Sequence, residues 1–345
     1  MSRQLKITVL VDVAAIPDKD PDFMGTPEKP TTEYHVIRTL REPRPMPHGR
    51  GELGNKVSVL GAVSDVGTIV NKLSEQKPDM VFNLTEEFAG DRRQDKNIAA
   101  LLELLGVAFT GTGATGLMLC RDKRLCKQLL GLHKIRIPGF VFLPPRQTVR
   151  IPKSLCYPLV VKPVFEDSSE GISNASLVTN EAALRERAQF IHERWQQAAI
   201  AEQYVQGREL YVSLLGNKRL TVLPIRECFF KSDTNSGPLL ATYRVKWNEQ
   251  YRQKWNIQFG FAELDASILE SIERVCRKVY RALQIRDYGR IDLRLTPDGR
   301  LVVLEANPNP DIAFGEEVAE AAERAGIPYK NLIDRILHLA LRRYV

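Results

Sequence analysis

The chain has 345 residues, 43% hydrophobic and 26% charged, an ordinary globular composition that excludes long disorder. That length exceeds one single-core domain and suits two or three lobes, and no stretch approaches the roughly 20 apolar residues of a membrane span. The net charge of +7 is spread among acids, with no basic tail and no nucleic-acid module, so nucleic acid is not expected as the main partner.

The first third alternates strand and helix. Apolar runs at 5–11, 57–60 and 80–84 read as strands, and helical periodicity covers 33–40, 65–76 and 94–105. The first run is interrupted by Lys6 and Thr8 and is followed by no clear small-residue cleavage site. It reads as a buried strand rather than a signal peptide, and a cytoplasmic protein is expected. The alternation predicts a parallel, Rossmann-like sheet with ligands beyond the carboxyl ends of its strands. The loop after Val11 and the loop 83–87, which contains Glu86, then border a pocket. Two long loops, 12–30 and 42–55, are rich in Pro, Asp or Gly and read as lids or mobile segments. Thr31 or Thr32 can cap the helix starting near Glu33, whose carboxylate either answers the helix dipole or meets substrate.

Residues 110–116 (T-G-T-G-A-T-G) lack both the GxGxxG spacing and a Walker lysine and read as a turn out of the first domain. A helix over 122–132 and a Pro-punctuated link over 137–152 follow. The middle lobe offers strands at 157–162, 175–178 and 198–204 and a helix at 181–195. Between the first two strands, the polar loop 166–171 (E-D-S-S-E-G) can act as a flap, its N–H and hydroxyl groups turned to phosphate oxygens. The last lobe carries strands near 210–215 and 219–225, a helix at 266–283, a hairpin over 290–307 and two closing helices. The predicted organisation is α/β: a Rossmann-like domain over 1–113, a central lobe over 114–203 and a C-terminal lobe over 204–345.

The hairpin 290–307 (R-I-D-L-R-L-T-P-D-G-R-L-V-V-L-E-A-N) is the most informative segment. A two-residue turn at Asp298-Gly299 places Asp292 opposite Glu305 and Arg290 opposite Asn307. With a period of two, all four share one face, while Ile291, Leu293, Val302 and Leu304 share the other. Asp, Glu and Asn oxygens suit Mg²⁺ with phosphate completing its shell, and Arg290 suits a phosphoryl group. A compensated surface charge cluster is the alternative. Lys162 ends an apolar strand, where an unpaired ammonium is costly and a nucleotide phosphate would offset the cost. Lys123 and Lys246 read alone as surface lysines, and Glu202 and Glu209 as loop acids. The five cysteines form no C-x-x-C pair and read as bystander thiols.

From about residue 80 onward the chain resembles the D-alanine–D-alanine ligase branch of the ATP-grasp superfamily. The resemblance rests on ordered segments: L-E-L-L-G-V-A-F-T-G-T-G, C-R-D-K-R-L-C-K, Y-P-L-V-V-K-P, E-D-S-S-E-G-I, A-E-Q-Y-V-Q-G-R-E-L, and G-R-I-D-L with L-E-A-N-P. It implies an ATP-grasp fold with a small central lid lobe and a C-terminal antiparallel-sheet lobe. ATP and Mg²⁺ are the implied cofactors, with two Mg²⁺ ions expected and Mn²⁺ as a substitute. Small-molecule carboxylate and amine substrates are implied, and a homodimer is compatible with the family. By resemblance, Lys123 and Lys162 meet ATP phosphates, and Ser168, Ser169 and Gly171 form the flap over them. Glu202 and Val205 contact adenine, Glu209 holds the ribose, and Lys246 approaches the γ-phosphate. Asp292, Glu305 and Asn307 match the Mg²⁺ ligands, and Arg290 the arginine that steadies the transferred phosphoryl group. The implied reaction makes an acyl phosphate and then an amide.

The substrate side departs from the family. Its signature for the first amino acid is replaced by T-T-E-Y, with Glu33 the one candidate equivalent. The serine-proline-glycine turn becomes Asn309-Pro310-Asp311, and the serine for the acceptor carboxylate gives way to the stretch around Glu316. Glu33, Glu86, Asp311 and Glu316 are therefore the substrate-side candidates, and a product other than D-Ala-D-Ala is expected. A nucleotide-binding regulator without turnover and a ligase acting on a peptide or protein are the alternatives.

Overall fold

A computed structural model describes residues 4–45, 52–166, 170–230 and 240–344. The elements follow in chain order as β1 (Lys6–Asp12), α1 (Thr32–Arg41), β2 (Arg44–Pro45), β3 (Glu52–Leu53), β4 (Lys56–Ala62), α2 (Val66–Gln76), β5 (Met80–Asn83) and α3 (Asp95–Leu104). Next come α4 (Ala114–Arg121), α5 (Lys123–Leu132), β6 (Phe140–Leu143), β7 (Leu159–Pro163), β8 (Leu177–Val178), α6 (Glu181–Trp195) and β9 (Ala199–Gln203). The remainder comprises β10 (Arg208–Gly216), β11 (Leu220–Val222), β12 (Arg226–Phe230), α7 (Tyr243–Trp247), α8 (Glu249–Lys254), β13 (Ile257–Phe261), α9 (Ala266–Ala282), β14 (Tyr288–Leu295), β15 (Leu301–Asn307), α10 (Glu317–Arg324) and α11 (Tyr329–Leu341).

The first sheet is parallel, in the order β4-β1-β5. Its central strand is buried because both faces are covered. One face packs Val9 and Val11 against α1, α10 and α11 through Val36, Ile37, Ala322, Ile333 and Leu337. The other packs Leu10 against α2 and α3 through Ile69, Leu73, Ile98 and Leu102. Thr31, rather than Thr32, caps α1, its hydroxyl accepting from Tyr34 N–H at 3.4 Å. At the carboxyl end of β1, Asp12 accepts the N–H groups of Glu86 and Glu87, which fixes the loop after β5 at the sheet's ligand end.

A second sheet, β6-β9-β7-β8, is antiparallel, and α6 packs on it through Leu184 and Ile191. The third runs β13-β12-β10-β14-β15, with β11 beside β10, and α9 covers it through Ile272, Cys276 and Val279. Several short elements depart from the sequence reading. The predicted turn at 110–116 is already helical from Ala114, and the link 137–152 contains β6. Strands β12 and β13 and helices α7 and α8 complete the segment between 225 and 266. No described helix is long and apolar enough to cross a membrane.

Candidate active site

The hairpin β14–β15 brings Arg290 opposite Asn307 and Asp292 opposite Glu305, as the sequence predicts, but by a different route. The turn has three residues, 297–299: Thr296 N–H donates to the Arg300 carbonyl at 2.9 Å, and Gly299 sits at φ +78°. Leu295 therefore faces Leu301 and Leu293 faces Val303, one residue out of step with the polar pairs. A β-bulge at Leu304 absorbs the difference and returns Glu305 and Asn307 to the side of Asp292 and Arg290. On the apolar side, Ile291 and Leu293 consequently share their core with Val303 and Ala306, not with Val302 and Leu304.

Cations close the carboxylates of this hairpin. Arg290 Nε lies 2.7 Å from Asp292 Oδ1, and another of its nitrogens lies 2.5 Å from Glu317 Oε2. Burial disfavours the Arg290 charge, but Asp292 and Glu317 outweigh it and hold the guanidinium firmly protonated. Lys123 opens α5 just after its cap, Asp122, whose carboxylate accepts from Arg124 and Leu125 N–H. Its ammonium lies 3.0 Å from Glu305 Oε1 and donates to the Glu166 carbonyl.

Glu202 on β9 bridges two lysines. Its Oε2 lies 3.0 Å from Lys162 Nζ and its Oε1 3.2 Å from Lys127 Nζ. Lys127, which the sequence reading did not single out, is 2% exposed and also donates to the Leu304 carbonyl at 2.9 Å. Burial works against both ammonium groups. For Lys162, Glu202 and Glu305 outweigh burial and its pKa rises; for Lys127 burial prevails and its pKa falls. A signal for Lys127 was present. It shares the buried stripe of α5 with Lys123, Cys126 and Leu130, a spacing in which a lysine is out of place unless paired. Glu209 on β10 lies across from Arg294 on β14, is ion-paired with it, and accepts from Tyr211 Oη at 3.0 Å.

A cavity of about 1150 Å³ is lined by Lys123, Gly171, Arg290, Glu305 and Asn307 together with Glu86, Asp311 and Glu316. The structure thus gathers the phosphate-side and substrate-side candidates from distant parts of the chain. Asp292, Lys162, Glu202 and Glu209 are buried outside this lining, and Val205 is half-buried in the loop after β9. Glu33 lies in the first turn of α1, also outside the lining, whereas its neighbour Thr32 donates to Asp311 at 2.8 Å. Ser168 and Ser169 fall outside the described residues, as does the Lys246 side chain, although the Lys246 backbone belongs to α7. Gly171 is required where it stands: its φ is +73°, and a Cβ there would meet the Pro163 ring at 2.6 Å.

Among the described residues, no group of three or more His, Cys, Asp or Glu converges as a metal site. A cation here would rest on Asp292, Glu305 and Asn307 plus ligand oxygens. The Asn307 amide nitrogen is buried without a hydrogen bond, and a half-turn of the amide puts its oxygen there. Arg290 and Lys123 already neutralise the two carboxylates, so the oxygen set fits a divalent cation that takes over that compensation.

Four of the five cysteines are buried, and burial pushes the Cys126 thiol up to about 12.

Comparison with known proteins identifies the family to which the chain belongs. The family model described as D-ala D-ala ligase C-terminus matches residues 142–338. A D-alanine–D-alanine ligase of Chromohalobacter salexigens is 31% identical over 75% of this chain and 77% of its own. An uncharacterised protein of Sinorhizobium fredii, y4sG, is 32% identical over 88% of this chain and 90% of its own. The crystal structure of the Bacillus anthracis D-alanine–D-alanine ligase complexed with ATP aligns with a TM-score of 0.72 at 21% identity, covering 99% of this chain and 98% of its own. The VanG D-Ala:D-Ser ligase of Enterococcus faecalis aligns with a TM-score of 0.68 at 19% identity, covering 98% of this chain and 100% of its own. A family match over more than half the chain, together with a relative 31% identical over three quarters of it, makes this protein a member of the D-alanine–D-alanine ligase family of ADP-forming, ATP-grasp carbon–nitrogen ligases.

Proposed function

We propose that this ligase activates a carboxylate as an acyl phosphate and passes it to an amine that lacks an adjacent carboxylate or carries an extra positive charge, so that its product is not D-Ala-D-Ala. The observation that carries the acceptor reading is the acid wall of the cavity at 311–320. Glu317 and Glu320 are paired with Arg290 and Arg226, whereas Asp311 and Glu316 form no ion pair among the described residues. Burial, reinforced by the charges of Asp311, Glu317 and Glu320, pushes the Glu316 carboxyl up. An arriving ammonium would relieve that repulsion, and a carboxylate would add to it. That the same fold serves ligases named for D-alanine and for D-serine acceptors supports placing specificity in this wall rather than in the scaffold.

In this reading the chain keeps three functional parts, 1–113, 114–203 and 204–345, and the cavity is where they meet. Lys123, Lys162 and the flap with Ser168, Ser169 and Gly171 hold the phosphates of ATP, and Glu202, Val205 and Glu209 hold its nucleoside. Asp292, Glu305 and Asn307 would hold Mg²⁺, which when bound would supply Lewis-acid neutralisation of phosphate oxygens. Arg290, anchored by Glu317 once the cation takes over its compensation of Asp292, would turn its freed N–H donors to the γ-phosphoryl group, with Lys246 as the further cation of the family pattern. The donor carboxylate oxygen bonds to phosphorus as the bond to the bridging oxygen of ADP breaks. The acceptor nitrogen, deprotonated to the free amine, then attacks the acyl carbon, loses a second proton and expels phosphate. Closure of the flap keeps water from the activated acid.

An assay of ADP release across donor acids and acceptor amines tests this reading. Turnover should require an acceptor without an adjacent carboxylate or with an extra positive charge, and Lys162→Ala and Glu305→Ala should each lower it about 100-fold or more. Robust D-Ala-D-Ala formation would refute the acceptor assignment, and full turnover by either variant would refute the site. A regulator without turnover would release no ADP with any pair.

A further inference from the structure

The buried ammonium of Lys127 has no task in the reaction just described, yet its placement is specific. The side chain is 2% exposed and has two partners, the Leu304 carbonyl, to which it donates at 2.9 Å, and Glu202 Oε1, an ion pair at 3.2 Å. Burying a charge on that scale costs several kcal/mol unless each partner is well placed, so a hydrophobic residue would be the simpler choice on this helix face. What Lys127 touches explains its presence.

Leu304 is the residue that the ladder skips: Asp292 pairs with Glu305, Leu293 with Val303, and Leu304 with neither. Its strand, β15, lies at the edge of the third sheet, where no further strand can pin the register. Outside this edge runs the segment from α5 to β6. Val303 N–H donates to the Arg136 carbonyl at 2.9 Å, and the Lys127 ammonium takes the Leu304 carbonyl. Losing the bulge would continue the turn-side register, in which Leu304 stands opposite Asp292 and Glu305 turns to the apolar side.

We propose that Lys127 is a positioning residue that holds the Leu304 bulge in place and, through Glu202, couples it to Lys162, so that Glu305 and Asn307 face the cavity. Three elements then meet at one ammonium: α5 supplies it, β15 is held in register by it, and β9 is oriented by it. This inference rests on the proposed roles of Glu305 and Asn307, and its test has one arm that does not.

The first arm is hydrogen exchange on the free protein. In Lys127→Met, the amides of 303–307 should exchange at least about 10-fold faster, while those of β10 stay as in the unmodified protein. The second arm is binding of Mg·ADP. Lys127→Met should raise the Mg²⁺ concentration needed for binding by about 10- to 100-fold, the range for residues that orient metal ligands. Tyr280→Phe, which removes a buried hydrogen bond to the Gly216 carbonyl away from the cavity, should lower stability without moving either readout. Should Lys127→Met fail to fold, Lys127→Gln, which keeps an N–H donor, takes its place with a smaller shift in the same direction. Unchanged exchange at 303–307 would overturn the inference whatever the nucleotide result. Faster exchange with an unchanged Mg²⁺ requirement would overturn its link to the site. If the unmodified protein binds no Mg·ADP, the functional reading fails, and the exchange arm still decides the role of Lys127.

Discussion

Asp12 ends the central strand of the first sheet with its carboxylate against the N–H groups of Glu86 and Glu87. Burial, the largest influence, pushes its pKa to about 6 in spite of those donors. The folded chain thus favours the protonated acid more than the unfolded chain does. The stability this contributes is full below about pH 4 and is lost as pH rises through about 6. Asp12→Asn should therefore be more stable than the unmodified protein at pH 8, with the difference shrinking toward pH 4.5 in urea-unfolding midpoints. A constant difference across that range would show that Asp12 does not titrate as described. Chemical type made many candidate-site residues stand out in the sequence: an oxygen-rich set on a hairpin, and a lysine closing an apolar strand. The partner each would choose was not legible, because pairing depends on residues far away in the chain. Glu305 is held by Lys123 and Glu209 by Arg294, and neither pair is a sequence neighbour.

The hairpin β14–β15 shows how elements hide their register. Counting from a two-residue turn gives the right polar pairs, because a three-residue turn and a one-residue bulge cancel. Turn chemistry can be read from Asp298-Gly299, but a bulge stabilised by a distant lysine cannot. Gly299 sits at φ +78° with open space where a Cβ would be, so only backbone strain opposes a side chain there. Gly299→Ala should cost about 1 kcal/mol in a thermal or urea melt and leave turnover unchanged, since the register at the site is set by the bulge. A loss of activity would mean that the turn governs the site after all. Strongly periodic elements such as α9 were readable throughout, whereas β6 and β12 were missed because they are short and sit among prolines and polar residues.

At the scale of the whole molecule, the end of the chain locks its beginning. Arg343, just past α11, donates to the Phe109 carbonyl at 2.6 Å and to Asp287 Oδ2 at 2.9 Å. Asp287 is fully buried and also accepts from Gly111 N–H and Asn217, so one carboxylate ties the exit of the first sheet to the start of β14. Arg343→Met should cost about 3 kcal/mol, because it strands that carboxylate without its cation. Adding Asp287→Asn should restore part of the loss in urea unfolding; two variants of equal stability would show that the pair is not coupled. The alternation of strands and helices foretold the parallel sheet, but not that α10 and α11 would return to cover it, since only tertiary packing selects which apolar stripe meets which face.

The cavity's volume bears on which acceptors could be used efficiently. At about 1150 Å³ it is roomy for a triphosphate tail and one alanine. In the proposed chemistry an undersized acceptor would leave solvent beside a mixed anhydride, and each such encounter would waste a nucleotide. On the proposed acceptor reading, productive partners would be those bulky enough to dry the chamber, and size would join charge as a criterion for admission.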